Sequence, residues 1–294
     1  MLVSEFIAAV TRQSQVTSDV TSASILLAGD MEIQGRMIPL LRMSRQEYFV
    51  SETQVDSYNG RVALPPRSIL GAVRHVQLVV GGVSRRLPQV NLEDDYLGAS
   101  GGTPGAWYFD GGSIVLLPRG TDGTVRLRYY IRPGRMIAES TTASVALIST
   151  ATQSAGGYSL TLANSSPSTG LIDVVSGSAS HELNAINVAT SASTTQVISS
   201  SALLSPITAG GYVVAAGYTP VVPVPEEMFS ALVHQVAHVL LRSLGYDSEA
   251  AAQKQLANDA MADAKVLLAP RSEGNPKYLR GGIRAALGAN WWGW

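Results

Sequence analysis

Apolar and polar positions change their spacing twice along the chain, from helical to alternating and back to helical, and each change predicts a change of element. At the start, Phe6, Ile7 and Val10 follow Leu2 and Val3 at roughly helical intervals, with Ser4 as a candidate cap. After a polar break from Gln13 to Ser22, a second helical stretch runs from about Ser24 to Leu41. It places Ile25, Ala28, Ile33, Met37 and Leu40 near one face, although Gly29, Gly35 and Pro39 weaken it. Gln46 to Val55 reads as a strand. From Arg61 to Tyr130 the period falls to two: Arg74–Val80, Ser113–Leu117 and Thr124–Ile131 are expected strands, and Gly81-Gly82 fits a hairpin turn.

The same period continues through Ser159–Leu162, Ile172–Val174, Ile186–Val188 and Tyr212–Val214, with Gly, Ser and Asn between them. Five or six short strands of this kind predict a small β-barrel or sandwich. The regular Ile, Val and Leu positions can bury a core, which argues against a disordered Ser/Thr linker. Pro223-Val224-Pro225 then closes the β region. Met228, Phe229, Leu232, Val236, Val239 and Leu240 restore helical spacing to about Leu244, behind the first-turn acids Glu226 and Glu227. Gly245 is a C-cap candidate, and a second helix is expected from Ser248 to Leu268, stopped by Pro270. The fold class that follows is α+β: a helical bundle or hairpin with a β-strand segment, an inserted β-module and an extended C-terminal tail.

Charge draws the domain boundaries more sharply than periodicity does. Residues 1–136 carry 14 Arg, no Lys and 12 acids, whereas residues 137–222 carry only Glu139, Asp173 and Glu182 and no Lys or Arg. Residues 223–294 return to seven basic and seven acidic side chains. This assigns 1–136 with 223–268 to one core, 137–222 to an inserted β-module and 269–294 to a tail. Over all 294 residues the net charge is −1, which excludes a histone-like affinity of the whole molecule for nucleic acid. No run of apolar residues is long enough for a membrane span, and Glu5 interrupts any signal-peptide pattern, so a non-exported protein made in the cytoplasm is expected. The match to a glycosylation pattern at Asn164-Ser165-Ser166 has no secretory context.

Candidate chemistry is sparse. With no Cys there is no thiolate nucleophile, disulfide framework or Cys-based metal site. His234 and His238 stand four apart on a predicted helix, a spacing able to place two imidazoles on one metal. The zincin pattern needs Glu after the first His, however, and this chain has Gln235. Two histidines on a partly buried face is the favoured reading. Glu93-Asp94-Asp95 is read as a solvated acidic loop rather than a cation site. Gly101-Gly102 and Gly210-Gly211 complete neither a phosphate loop nor a dinucleotide fingerprint, and no Gly-x-Ser-x-Gly elbow occurs. No enzyme, catalytic residue, metal or cofactor is therefore expected. The tail is different. Arg271, Lys277, Arg280 and Arg284 face a single acid, Glu273, and Trp291, Trp292 and Trp294 end the chain. Tryptophan is a favoured interface anchor, so a docking peptide is expected.

The order of segments also carries a resemblance. It runs through Arg45-Gln46-Glu47-Tyr48-Phe49, Val62-Ala63-Leu64-Pro65-Pro66-Arg67 and Val73-Arg74-His75-Val76. Arg86-Leu87-Pro88, Thr103–Phe109, Gly112–Pro118 and Thr124–Pro133 follow, before a proline-introduced helical hairpin from Val224 to Leu268. This resembles the head-to-tail adaptor, or connector, proteins of tailed bacteriophages. The resemblance implies a virion structural protein at the neck, a homo-oligomeric ring of about twelve copies closed by head-to-tail contacts. It implies a portal protein on one side, tail or nozzle proteins on the other, and genomic DNA passing through the lumen without sequence-specific binding. It also implies a C-terminal extension reaching the portal, with Arg271, Lys277, Tyr278, Arg280, Arg284, Trp291, Trp292 and Trp294 as docking residues. Other virion components, such as a tail or decoration protein with a β-module, remain open on the same residues.

Overall fold

A computed structural model describes residues 1–15, 20–44, 48–65, 67–91, 102–120, 122–141, 144–154, 157–163, 170–175, 184–190, 195–199 and 207–268. Helix α1 (Val3–Ser14) opens the chain. Its cap is Leu2 rather than Ser4, because Leu2 is held in extended geometry by a bridge to Val221. Ser4 instead lies in the first turn, where its N–H and hydroxyl both donate to Glu139, a carboxylate placed on the positive end of the helix. Helix α2 (Ser22–Glu32), capped by Thr21, runs through a π turn (Ile33–Met37) into α3 (Ile38–Ser44). The expected helix thus continues past its weak points, with Gly35 inside the π turn and Pro39 two residues beyond it.

The β segment then forms two sheets. Strands β1 (Val50–Asp56), β3 (Ser68–Val80), β4 (Val83–Leu87) and β7 (Thr124–Ile131) pair antiparallel in the order β1-β7-β3-β4. Strands β2 (Arg61–Ala63), β5 (Ala106–Asp110) and β6 (Ser113–Leu117) pair as β2-β6-β5. The period-two reading holds: β7 alternates half-buried and buried along its whole length. Gly81 and Gly82 have φ of +56° and +81°, the two left-handed positions that a tight hairpin turn requires. The first strand begins later than expected, and Arg45–Glu47 lie outside the described residues.

Strand β8 (Arg135–Met136) pairs in parallel with β15 (Tyr218–Thr219), so the entry and exit of the inserted segment lie side by side. Between them β9 (Val145–Ser154), β10 (Gly157–Leu162), β11 (Gly170–Val175), β12 (Asn184–Thr190), β13 (Thr195–Ser199) and β14 (Tyr212–Ala215) form one sheet ordered β12-β11-β14-β9-β10-β13. Strand β9 pairs with β14 over Val145–Leu147 and with β10 from Ile148 onward. Ala146, Ile148, Leu160, Ile172 and Val213, from both sides of that switch, share one buried cluster. In place of a closed barrel, the described strands make a single sheet, with β12 and β13 at its ends.

Helices α4 (Glu226–Ser243) and α5 (Asp247–Leu268) form the expected hairpin, joined across Gly245 at φ +85°. The main core unites both flanks of the insert. Phe6 and Val10 of α1, Ile25 and Met37, Val76, Leu127 and Tyr129 of the sheet, and Met228, Leu232 and Val236 of α4 belong to one buried cluster that also includes Leu268 of α5. Gly29 marks its tightest point: a Cβ there would sit 2.5 Å from Met136 Cε and 3.1 Å from the Phe6 ring. Met136 can swing away but the ring is packed. Gly29→Ala should therefore cost about 1 kcal/mol net, overpacking outweighing the gain in helix propensity. Denaturant unfolding checks this, and an increase in stability would contradict the packing.

Candidate functional site

The two histidines singled out by spacing belong to the hairpin. His234 Nδ1 lies 2.7 Å from Gln253 Oε1, and His238 Nδ1 lies 2.8 Å from the Ala250 carbonyl. A carbonyl only accepts, so Nδ1 of His238 carries a proton in that bond. Both rings thus tie α4 to α5, and the Gln253 amide also donates to the Gln13 carbonyl of α1 at 3.3 Å. Among the described residues no group of His, Asp and Glu is placed to hold a metal ion.

What the sheet and insert bring together is a charged joint. Arg67, between β2 and β3, adopts φ +62°, a left-handed conformation unusual for a branched-chain-free but bulky residue. Its Nε and Nη2 donate to the Arg132 carbonyl at 3.0 and 2.7 Å, and the Arg132 N–H returns a bond to the Arg67 carbonyl at 2.7 Å. Its Nη1 donates to Asp173 Oδ2 at 2.6 Å, an oxygen that also accepts the Gly217 N–H at 2.7 Å. The Asp173 side chain is 1% exposed and its Oδ1 has no hydrogen-bond partner. Burial pushes this carboxyl above its usual range, and Arg67 and Gly217 pull it back. One ion pair therefore links β11 of the insert to the core, while Leu2, Ile137, Val145, Val175, Val214 and Val221 make a small apolar cluster across the same junction.

Two open clefts flank the π turn, and Gln34 lines both. The larger, about 420 Å³, lies between α2 and the β8–β15 pair and is lined by Leu26, Leu27, Asp30, Met31, Arg135, Met136 and Tyr218. The smaller, about 330 Å³, includes Ile38, Pro39, Arg42, Ile69 and Arg132, with the Arg42 guanidinium 5.1 Å from the centre of the Tyr130 ring. Asp30 accepts the Met136 N–H at 3.0 Å, and burial raises its carboxyl to about 6 despite that bond and the nearby Arg135. A folded pKa above the unfolded one means the native state holds the proton longer, so this group's contribution falls as pH rises from about 4 to about 6. Asp30→Asn should remove that slope and raise stability at pH 7 by on the order of 1 kcal/mol after solvent screening. Thermal unfolding across pH 4–7 tests it, and an unchanged slope would exclude Asp30 as its source.

The residues expected to dock a partner, Arg271, Lys277, Tyr278, Arg280, Arg284, Trp291, Trp292 and Trp294, lie outside the described residues, as do Glu93, Asp94 and Asp95. α5 brings the chain to them with Val266 and Leu267 exposed at its last turn. Neither the Arg67–Asp173 pair nor Asp30 stands out by spacing. The available signal was a lone acid in an apolar strand, Gly170–Val175, since a charge at a buried strand position requires a partner. No protein-family model matches this chain, and no curated protein matches it. Among the described residues no helix is long and apolar enough to cross a membrane.

Proposed function

We propose that this chain is a head-to-tail adaptor of a tailed bacteriophage, a non-enzymatic ring subunit at the neck of the virion that binds a portal protein and offers a platform to tail or nozzle proteins. The observation that carries the reading is the single core spanning both sides of the insert. Helices α1 and α2, the sheet β1-β7-β3-β4 and the hairpin α4–α5 bury one another's apolar faces. Residues 146–213 close a second cluster of their own. Such an arrangement supplies a body for ring packing, an elaboration that can vary without disturbing it, and a hairpin whose end leads into the basic, tryptophan-bearing segment. The near-neutral total charge suits a lumen through which DNA slides, because each fixed cation adds salt-dependent affinity for phosphate.

Co-sedimentation with a purified portal ring tests the reading. The adaptor should travel with the portal in a fixed stoichiometry near one to one at moderate salt. Failure to attach to portal rings or to DNA-filled, tailless heads would favour a tail or decoration protein instead.

A further inference from the structure

Both edges of the four-stranded sheet lack a strand neighbour among the described residues: β1 pairs with β7 alone and β4 with β3 alone. The two edges differ in charge. On the outer face β1 carries Glu52 and Asp56, and β4 carries Arg86. The register across the sheet aligns Gln54, Arg126, Gln77 and Arg86 in one row on that face. Near the hairpin tip Val80 and Val83 are 58% and 71% exposed, on the face that further along β3 buries Val76 and Leu78. Charges on an exposed edge can serve to repel stray strands. Here the opposite edge of the same chain carries the complementary charge.

We propose that copies of this chain associate edge to edge, β4 of one copy pairing antiparallel with β1 of the next, so that their sheets run on continuously. The strand count favours it. In an antiparallel sheet of four strands, β4 runs opposite to β1, so placing β1 of the next copy beside β4 continues the alternation. The side chains select a register. Setting Val83 opposite Val55 places Ser84 opposite Gln54, Arg85 opposite Thr53 and Arg86 opposite Glu52 on the next copy. This covers the exposed valine with an apolar neighbour and adds a cross-strand ion pair. Glu52 retains room to accept it, because its contact with Arg126 is a single one at 3.4 Å. The contact joins two different surfaces of the chain, so it is heterologous and generates a ring when the rotation closes. It supplies the ring contact that the adaptor reading needs, and its test separates the two.

The chain has no cysteine. A Ser84→Cys/Gln54→Cys chain treated with a short bis-maleimide should give a ladder of covalent dimers, trimers and larger species, because each copy offers one of each strand. The single variants should give none, and circular dichroism should match the wild type for all three. Adding Arg86→Glu should cut the ladder about tenfold or more, since it sets like charges opposite each other. A chain that stays monomeric in sedimentation and forms no ladder would overturn the proposal. So would equal cross-linking by a single-cysteine variant, or a ladder indifferent to Arg86→Glu. Portal attachment without a ladder would leave the adaptor reading standing and remove this contact; a ladder without portal attachment would do the reverse.

Discussion

Replacing Arg67 by Met should cost about 3–5 kcal/mol, because it leaves the Asp173 carboxylate buried and unpaired while keeping the aliphatic stem. The loss should depend on pH in a defined direction. Burial already raises Asp173, with Arg67 as the strongest opposing influence, so removing Arg67 raises it further. A folded pKa above the unfolded value means that stability is retained below about pH 4, where the carboxyl is protonated in both states, and is lost as pH rises through the folded value. Arg67→Met should thus lie closest to the wild type near pH 4 and furthest from it near pH 8. Asp173→Asn, which still accepts the Gly217 N–H, should cost far less, and combining it with Arg67→Met should recover much of the loss. Urea unfolding of the four proteins at both pH values measures the coupling. Equal losses at pH 4 and pH 8 would mean that the charge of Asp173 is not what the arginine stabilises.

Ending the chain after Leu268 should abolish attachment to the portal while leaving the fold intact. Every residue of the main core among the described residues, through Leu268, is kept by the truncation. What it removes is Trp291, Trp292 and Trp294, each worth on the order of 2 kcal/mol as a buried anchor, and the cations Arg280 and Arg284. Losing three anchors of that size lowers affinity by several orders of magnitude. Co-sedimentation of full-length and truncated chains with portal rings reads the effect. Equal attachment would move the docking role to the α4–α5 hairpin.

The elements that were legible in the sequence are those whose burial repeats on one period. Thr124–Ile131 alternates in sequence and alternates in burial, and Met228, Leu232 and Val236 recur at helical spacing and are fully buried. The helix across Gly35 and Pro39 was harder to read because its continuity depends on a π turn that only packing reveals. Strand β9 is not legible in the sequence, since Ser149, Thr150 and Thr152 interrupt its apolar pattern where it passes from β14 to β10. The sequence points to Ser4 as the cap of α1, but the cap is Leu2, held by a bridge to Val221 more than two hundred positions away. The Arg67–Asp173 pair was hidden for the same reason: each residue is ordinary locally, and only the fold sets them 2.6 Å apart. The histidine pair lies on α4 as its spacing predicts, but its partners on α5, Gln253 and the Ala250 carbonyl, could not be named from spacing.

Two-dimensional class averages of the virion neck, with this chain labelled by a fused tag, test the adaptor assignment most directly. The expected result is a ring of about twelve labelled copies stacked beneath the portal on its axis, with closed symmetry. One labelled copy or a pair at the neck, or label spread over the capsid surface, would contradict it.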